Sequence, residues 1–148
     1  AERHDAFCDA LERKGVHLGD NNIAFGANTF QSGVDCAVQL LKSDNPPTAI
    51  FASNDEMAIG VMVTAQKMGI DIPNELTIIG FDDTPQASKV WPALTTVNLQ
   101  VKEMGKLATQ KLLALCSNNI GLAKTIKSEL VPTLVRRQTT APPPIPRG

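Results

Sequence analysis

Two kinds of short element alternate along the first two thirds of the chain. The spacing of apolar positions predicts helices where they recur every three to four residues, and buried strands where they run together. The predicted helices cover residues 3–14, 30–42 and 54–68, and the predicted strands cover 22–26, 48–52 and 76–79. Because one helix separates each strand from the next, we expect an α/β fold with parallel βαβ units.

The last third of the chain has a different pattern. Its predicted elements are a strand over 94–97, a helix over 101–115 and strands over 126–130 and 133–135. The two final strands would form a hairpin around Pro132. The apolar face of the helix should be buried through Met104, Ala108, Leu112 and Leu115. The tail, 141–148, is so rich in proline that we expect it to be extended or disordered.

Length and charge restrict the class of protein. The chain has 148 residues, 43% of them hydrophobic, with 14 Lys+Arg against 15 Asp+Glu and a net charge of −1. This size fits one domain, or one large part of a two-lobed domain. A chain so close to neutral is not expected to grip a phosphate backbone unaided. Its apolar runs are far shorter than the roughly 20 residues that span a bilayer.

The cysteine and histidine content favours a reducing, cytoplasmic location and no metal or other cofactor. Three cysteines without a CxxC spacing do not form a disulfide framework or a zinc site, and the two histidines stand apart. The charged opening residues do not resemble a secretory leader. A parallel sheet needs a strand before its opening helix, so we expect the chain to be a fragment, truncated at its N-terminus.

Polar residues follow the predicted strands, at the edge of the sheet where open α/β folds bind ligands. Asn28, Asn54 and Asp82 come after the three strands, and Arg3 opens the first helix at the same edge. Guanidinium, amide and carboxylate groups together match the donors and acceptors of a sugar or nucleoside. Taken singly, Asn54 could be a helix cap, Asp82 a solvated turn residue and Arg3 a surface arginine.

Asp82 and Asp83 allow an enzymatic interpretation. Two acids after an apolar strand are typical of Mg²⁺-dependent phosphoryl transfer, but that chemistry needs a spacer between the acids so that both face one way. Adjacent aspartates point apart. The chain also lacks a phosphate-binding loop, a nucleophile elbow and an HExxH motif. We therefore expect no enzyme, with a metal-dependent phosphatase as the least favoured alternative.

Several motifs occur in an order that resembles the lactose/galactose repressor family of bacterial transcription regulators. The motifs are TAIFASNDEMAIG (48–60), Ile-Pro (72–73), IIGFDD (78–83), PALTTV (92–97), a segment opening with Arg3 and the terminal LVRRQTT (134–140). Ala6 stands where this family has glycine, Asn28 where it often has an aromatic platform, and Leu99 where a glutamine is common.

The resemblance implies a periplasmic-binding-protein-like (type I) fold with a three-layer parallel sheet. Residues 1–97 would form most of the second lobe and 98–140 the closing helix and strands of the first. It also implies that Arg3, Asn54 and Asp82 bind a small effector, a sugar or nucleoside, and that operator DNA is bound by a helix-turn-helix region outside this chain. A solute-binding protein of transport or chemotaxis with the same fold is the alternative.

The helix over 54–68 is apolar almost all round, which predicts burial on two faces. One face would pack on the sheet and the other against the same helix of a second subunit. The resemblance adds the segment around Val90 and Trp91 to that contact. The predicted dimer interface is therefore Met57, Val61, Met62, Val90 and Trp91. The alternative is a helix buried wholly within one chain.

Overall fold

The structure, a computed structural model, describes residues 2–117, 119–126 and 129–143. Its helices are α1 (Glu2–Glu12), α2 (Phe30–Leu41), α3 (Asp55–Lys67), α4 (Val101–Cys116) and α5 (Ile120–Thr125), with a 3-10 helix at Asp20–Asn22. Its strands are β1 (Ala49–Phe51), β2 (Thr77–Ile79), β3 (Thr96–Asn98) and β4 (Thr133–Val135). The three predicted N-terminal helices are confirmed.

The helices that border the candidate site begin at side-chain caps. Thr29 and Ser32 form a capping box at α2, each side-chain oxygen accepting from the other's backbone N–H. Asn54 caps α3 by accepting from the Met57 N–H at 2.8 Å. α3 ends before Gly69, whose φ of +76° lies in the left-handed region that ends many helices.

The strands confirm the parallel βαβ arrangement. β1 and β2 pair in parallel with Ile50 opposite Ile78, and α3 connects them. The parallel pairing continues beyond β2, where Ile79 lies beside Thr95 and Asp82 beside Asn98. β3 then pairs antiparallel with β4, so the end of the chain lies next to the strand that follows β2.

The hydrophobic core lies among α2, α3, β1 and β2. α2 and α3 cross with their backbones in contact, because a Cβ on Gly33 would clash with the Met57 backbone and one on Gly60 with the Phe30 carbonyl. The core residues that are 9% exposed or less include Ala37, Leu40, Ile50, Ala58, Val61, Met62, Ala65, Leu76, Ile78 and Leu94.

Two strand predictions were wrong. Residues 22–26 form no strand, because Asn22 ends the 3-10 helix and residues 23–26 make no ladder with another described segment. Of the predicted strand 126–130, residues 127 and 128 lie outside the described residues, and Ile126, Glu129 and Leu130 are not in a strand. The predicted hairpin around Pro132 is replaced by the pairing of β4 with β3.

The predicted burial on α4 was also wrong. Met104, Leu112 and Leu115 are 47%, 62% and 49% exposed, and Ala108 is exposed too. Only Ala114 of this helix is buried. The apolar face exists, but α4 packs mainly on α5, a short helix that the sequence pattern did not predict.

The chain after β4 returns to the core. Thr139 is fully buried, donates from Oγ1 to the Ile78 carbonyl at 2.6 Å and accepts from the Thr95 N–H at 2.9 Å. The end of the described chain therefore packs beside β2 and the residues that lead into β3, and the division into lobes after residue 97 stays a prediction. Of the predicted tail, residues 144–148 lie outside the described residues.

Candidate functional site

The four predicted effector-binding residues lie together at the carboxyl edge of β1 and β2. Arg3 Nη2 lies 3.5 Å from Asp82 Oδ1, and Asn54 Nδ2 donates to the Asn28 carbonyl at 3.0 Å. Arg3 Nη1 also donates to the carbonyl of Ser53, next to Asn54, at 2.5 Å. The fold thus joins both pairs into one polar edge. Asn54 and Asp82 follow the parallel strands β1 and β2 as expected, whereas Arg3 comes from α1 and Asn28 from the loop before α2.

Asn54 serves as a helix cap and as a link within the site. Its Oδ1 accepts from the first turn of α3, and its Nδ2 holds the loop that carries Asn28. Asn54 is therefore a helix cap, the alternative that the sequence left open, and it also lies beside the other polar residues of the site. Because the oxygen and the nitrogen of the Asn54 amide each make a hydrogen bond within the chain, the side chain has a defined orientation without a ligand.

The Arg3 guanidinium is held in one plane against an aromatic ring. Its Cζ lies 4.0 Å from the centre of the Phe81 ring, a cation–π arrangement, while 43% of the side chain stays exposed. Phe81 contacts Phe51 edge-on, and Phe51 stacks on Phe7 at 4.9 Å between ring centres. Arg3 can therefore offer its remaining N–H groups in a fixed direction.

Asp82 and Asp83 face opposite surroundings, as expected for adjacent acids. Burial raises the pKa of Asp82; the nearby Arg3 lowers it and the Asp55 carboxylate raises it further, leaving it above its ordinary value. Burial also acts to raise the pKa of Asp83, but hydrogen bonds from Arg137 and Asn98 and the Arg137 charge outweigh it and lower that pKa. Both aspartates have positive φ, +113° and +56°, a backbone conformation that is uncommon for residues other than glycine.

Asp55, in the first turn of α3, is a buried carboxylate that no sequence pattern indicated as part of the site. Its Oδ2 accepts from the backbone N–H and the hydroxyl of Thr84, and its Oδ1 from the hydroxyl of Thr96 at 2.5 Å. These bonds tie the start of α3 to the loop after Asp82 and to β3. Thr84 and Thr96 lie 29 and 41 residues from Asp55 in the chain, so no local motif indicates that both contact its carboxylate.

The ion pair of Asp83 and Arg137 was not found from the sequence either. The two atoms Asp83 Oδ1 and Arg137 Nη2 lie 2.5 Å apart, and the side chains are 15% and 19% exposed. Asn98 Nδ2 donates to the other carboxylate oxygen at 2.6 Å. Because 54 residues separate the ion pair, no local motif indicates it.

Three of the predicted dimer residues do not lie on the surface of the chain. Met57, Val61 and Met62 are 7%, 3% and 2% exposed, since α3 is covered by α2 and by β2. Their assignment to a contact between subunits was therefore wrong, and the alternative of burial within one chain holds for them. Val90 packs partly against the core, whereas Trp91 is 78% exposed.

The described parts of the chain contain no group of three or more His, Cys, Asp or Glu side chains placed to share a metal ion. Among the same residues, no helix has both the length and the apolar character needed to cross a bilayer.

Comparison with known proteins gives one consistent group. The family model of the periplasmic binding protein-like domain matches residues 1–140. Catabolite control protein A of Priestia megaterium is 39% identical over 76% of this chain and 34% of its own length. The HTH-type transcriptional regulator GalS of Salmonella typhimurium is 36% identical over 95% of this chain and 41% of its own length. The chain belongs to the lactose/galactose repressor family.

Solved structures of this family have the same fold. The Escherichia coli transcriptional repressor ascG is 31% identical, with a TM-score of 0.82, over 95% of this chain and 50% of its own. The dimeric lac repressor is 29% identical, with a TM-score of 0.84 over the same shares. The chain spans about two fifths of the length of curated relatives such as GalS.

Proposed function

We propose that this chain is the effector-sensing part of a cytoplasmic, DNA-binding transcription repressor that binds a small sugar or nucleoside without chemistry. The observation that carries the proposal is the polar edge of Arg3, Asn28, Asn54 and Asp82. The names of the relatives support it, because GalS, GalR and PurR are all called HTH-type transcriptional regulators or repressors. Operator DNA would be bound by a region outside this chain.

The chemistry of the edge suits a polyol. An ionised Asp82 accepts hydrogen bonds from two hydroxyl groups, and the Arg3 fork donates to ring or hydroxyl oxygens. One relative of known structure, 31% identical, is described as a sugar-binding transcriptional regulator of Escherichia coli. A sugar is therefore the first class of compound to test, with nucleosides second.

A binding experiment on the full-length protein tests this function. Calorimetric titration with D-glucose, D-galactose, D-ribose, cellobiose, adenosine and guanosine should find at least one compound that binds and changes the affinity for operator DNA. Binding without any effect on DNA would favour the alternative, a solute-binding protein of transport. A helix-turn-helix encoded upstream supports the repressor, and a signal peptide supports the transporter.

We propose further that the protein forms a homodimer through a surface that differs from the predicted one. Ile59, Val63 and Gln66 share one stripe of α3 by their helical spacing, and the first two are only partly buried. Gln66 Nε2 donates to the Trp91 carbonyl at 2.8 Å, so the exposed Trp91 lies beside this stripe. The dimeric lac repressor structure supports a two-fold contact.

Sedimentation of the full-length protein tests this surface of Ile59, Val63 and Trp91. Val63→Glu should weaken the dimer by about 10-fold or more, because it places an unpaired charge in a dry contact. Val16→Glu is the matched control, since Val16 is 51% exposed in a loop after α1. A Val63→Glu protein that melts normally and stays dimeric at micromolar concentration would contradict the proposal.

A further inference from the structure

Two strands connect α4 and α5 with the rest of the described chain. β3 leads into α4, and β4 leads back from α5 towards Arg137. They pair along their whole length, with Thr96 opposite Val135 and Asn98 opposite Thr133. We call this pair of strands the neck. Any movement of α4 and α5 relative to the core has to pass through it.

One carboxylate contacts both chain segments of the neck. Asp83 accepts from Asn98, the last residue of β3, and from Arg137, which lies two residues after β4. Arg137 in turn donates from Nη1 to the Leu94 carbonyl at 2.8 Å and from its backbone N–H to Thr95 Oγ1 at 2.9 Å. We call Asp83, Asn98 and Arg137 the clamp. Since its ion pair is largely shielded from water, removing either partner leaves the other charge poorly hydrated and unpaired.

The clamp is covalently adjacent to the candidate effector site. Asp82 faces Arg3, and the next residue, Asp83, faces the neck. Both residues have positive φ, and the Asp82 N–H donates to the Val97 carbonyl of β3 at 2.9 Å. Because one peptide bond joins Asp82 to Asp83 and Asp82 is also hydrogen-bonded to β3, a shift of the Asp82 backbone displaces Asp83.

We propose that the clamp consists of positioning residues that transmit effector binding at Asp82 to the neck, a role that rests on the proposed function. A compound that accepts hydrogen bonds from the Arg3 guanidinium and donates one to the Asp82 carboxylate changes the contacts that Asp82 makes. The backbone of Asp83 then shifts with that of Asp82. Because Asp83 contacts Asn98 at the end of β3 and Arg137 just after β4, both strands of the neck shift together, and α4 and α5 move with them.

Hydrogen–deuterium exchange of the full-length protein tests the clamp. The probe is whichever of D-glucose, D-galactose, D-ribose, cellobiose, adenosine and guanosine raises the melting temperature of the wild type most. The reporter is β4, which lies on the far side of β3 from Asp82. In the wild type, the saturating probe should slow exchange in β4 by about 5-fold or more, the lower range of typical coupling between sites.

The variants Asp83→Asn and Arg137→Gln each remove one charge of the ion pair. In both variants, the saturating probe should still slow hydrogen–deuterium exchange at residues 80–82. The exchange rate in β4 should change by less than about 2-fold. A purely structural role would speed exchange with and without the probe and leave the difference intact. Glu103→Gln, which removes one acid of the exposed Glu103–Lys106 pair on α4, is the control and should behave as the wild type.

Retention of the wild-type response of β4 in either variant would overturn the clamp while leaving the proposed function in place. A wild type in which no compound of the panel binds would overturn the proposed function, and the clamp with it.

Discussion

At the scale of single residues, the two adjacent aspartates illustrate how neighbours in sequence acquire different roles. Asp82 has a raised pKa and lies beside a partly exposed arginine, whereas Asp83 has a lowered pKa and is tied to two partners. The strand that ends before them is parallel to the residues that lead into β3, so one side chain faces the open edge and the other faces the neck.

Asp82→Asn should weaken binding of the effector by about 10-fold or more, or about 1.4 kcal/mol, because it removes a charge-assisted acceptor. Since burial raises the pKa of Asp82, the affinity of the wild type should also fall at a higher pH than for an ordinary carboxylate. Calorimetry between neutral pH and pH 4 measures both effects. Asp20→Asn, at an exposed acid, is the control and should leave the affinity unchanged.

Asp83→Asn should lower the free energy of unfolding at neutral pH by about 2 kcal/mol, the scale of a hydrogen bond to a charged group. The folded-state pKa of Asp83 lies below its ordinary value of 3.8, so its stabilisation is complete above that pH and is lost as the pH falls through the lowered pKa. The difference between wild type and variant should therefore shrink below about pH 3.8. Urea unfolding at a series of pH values checks this.

Replacing Asp82 by asparagine should not lower the free energy of unfolding in the way that Asp83→Asn does. The folded-state pKa of Asp82 is raised, so ionisation of Asp82 weakens the fold, and this penalty is absent once the pH falls below the ordinary value of 3.8. Asp82→Asn should not destabilise the protein at neutral pH. A loss of stability equal to that of Asp83→Asn would contradict the assignment of separate roles.

At the scale of elements, the crossing of α2 and α3 sets the position of Asn54 and hence of the site. Their backbones approach at Gly33 and Gly60, where no side chain fits. The nearly complete burial of α3 follows from this close crossing together with its packing on β2. That explains why an apolar pattern all round the helix did not mean a contact with a second subunit.

Gly60→Ala should lower the free energy of unfolding by about 1–3 kcal/mol, because the added methyl meets the Phe30 carbonyl and the Val34 backbone. Gly105→Ala is the matched control, since Gly105 is also helical but has no atoms within 4 Å of the added Cβ. The control should be neutral or stabilised by up to about 1 kcal/mol. Equal losses in both variants would show that the crossing does not depend on close approach.

Local pattern was sufficient to predict the elements that are stabilised by their own sequence. The cap at Asn54 and the parallel strands on either side of α3 agree with the predictions. The pattern failed where an element depends on distant partners: residues 22–26 form no strand, and β4 pairs with β3 instead of its neighbour in sequence. For the same reason the positions of Asn54 and Asp82 could be predicted from strand ends, whereas Asp55 and the Asp83–Arg137 pair could not be found from local pattern.

At the scale of the whole molecule, the chain forms one core with α4 and α5 joined to it through the neck. The exposed apolar residues of α4 show that this part has more hydrophobic surface than the described residues cover. The relatives are more than twice as long as this chain. The predictions on effector response and dimerisation therefore belong to the full-length protein.

The most direct test of the account is a crystal structure of the full-length protein with the compound that binds most tightly in the calorimetric panel. The account predicts that the compound contacts Arg3, Asn54 and Asp82 directly, with at least one hydroxyl group donating to the Asp82 carboxylate. A compound bound elsewhere, or one that leaves Asp82 in contact with protein groups alone, would contradict the central assignment.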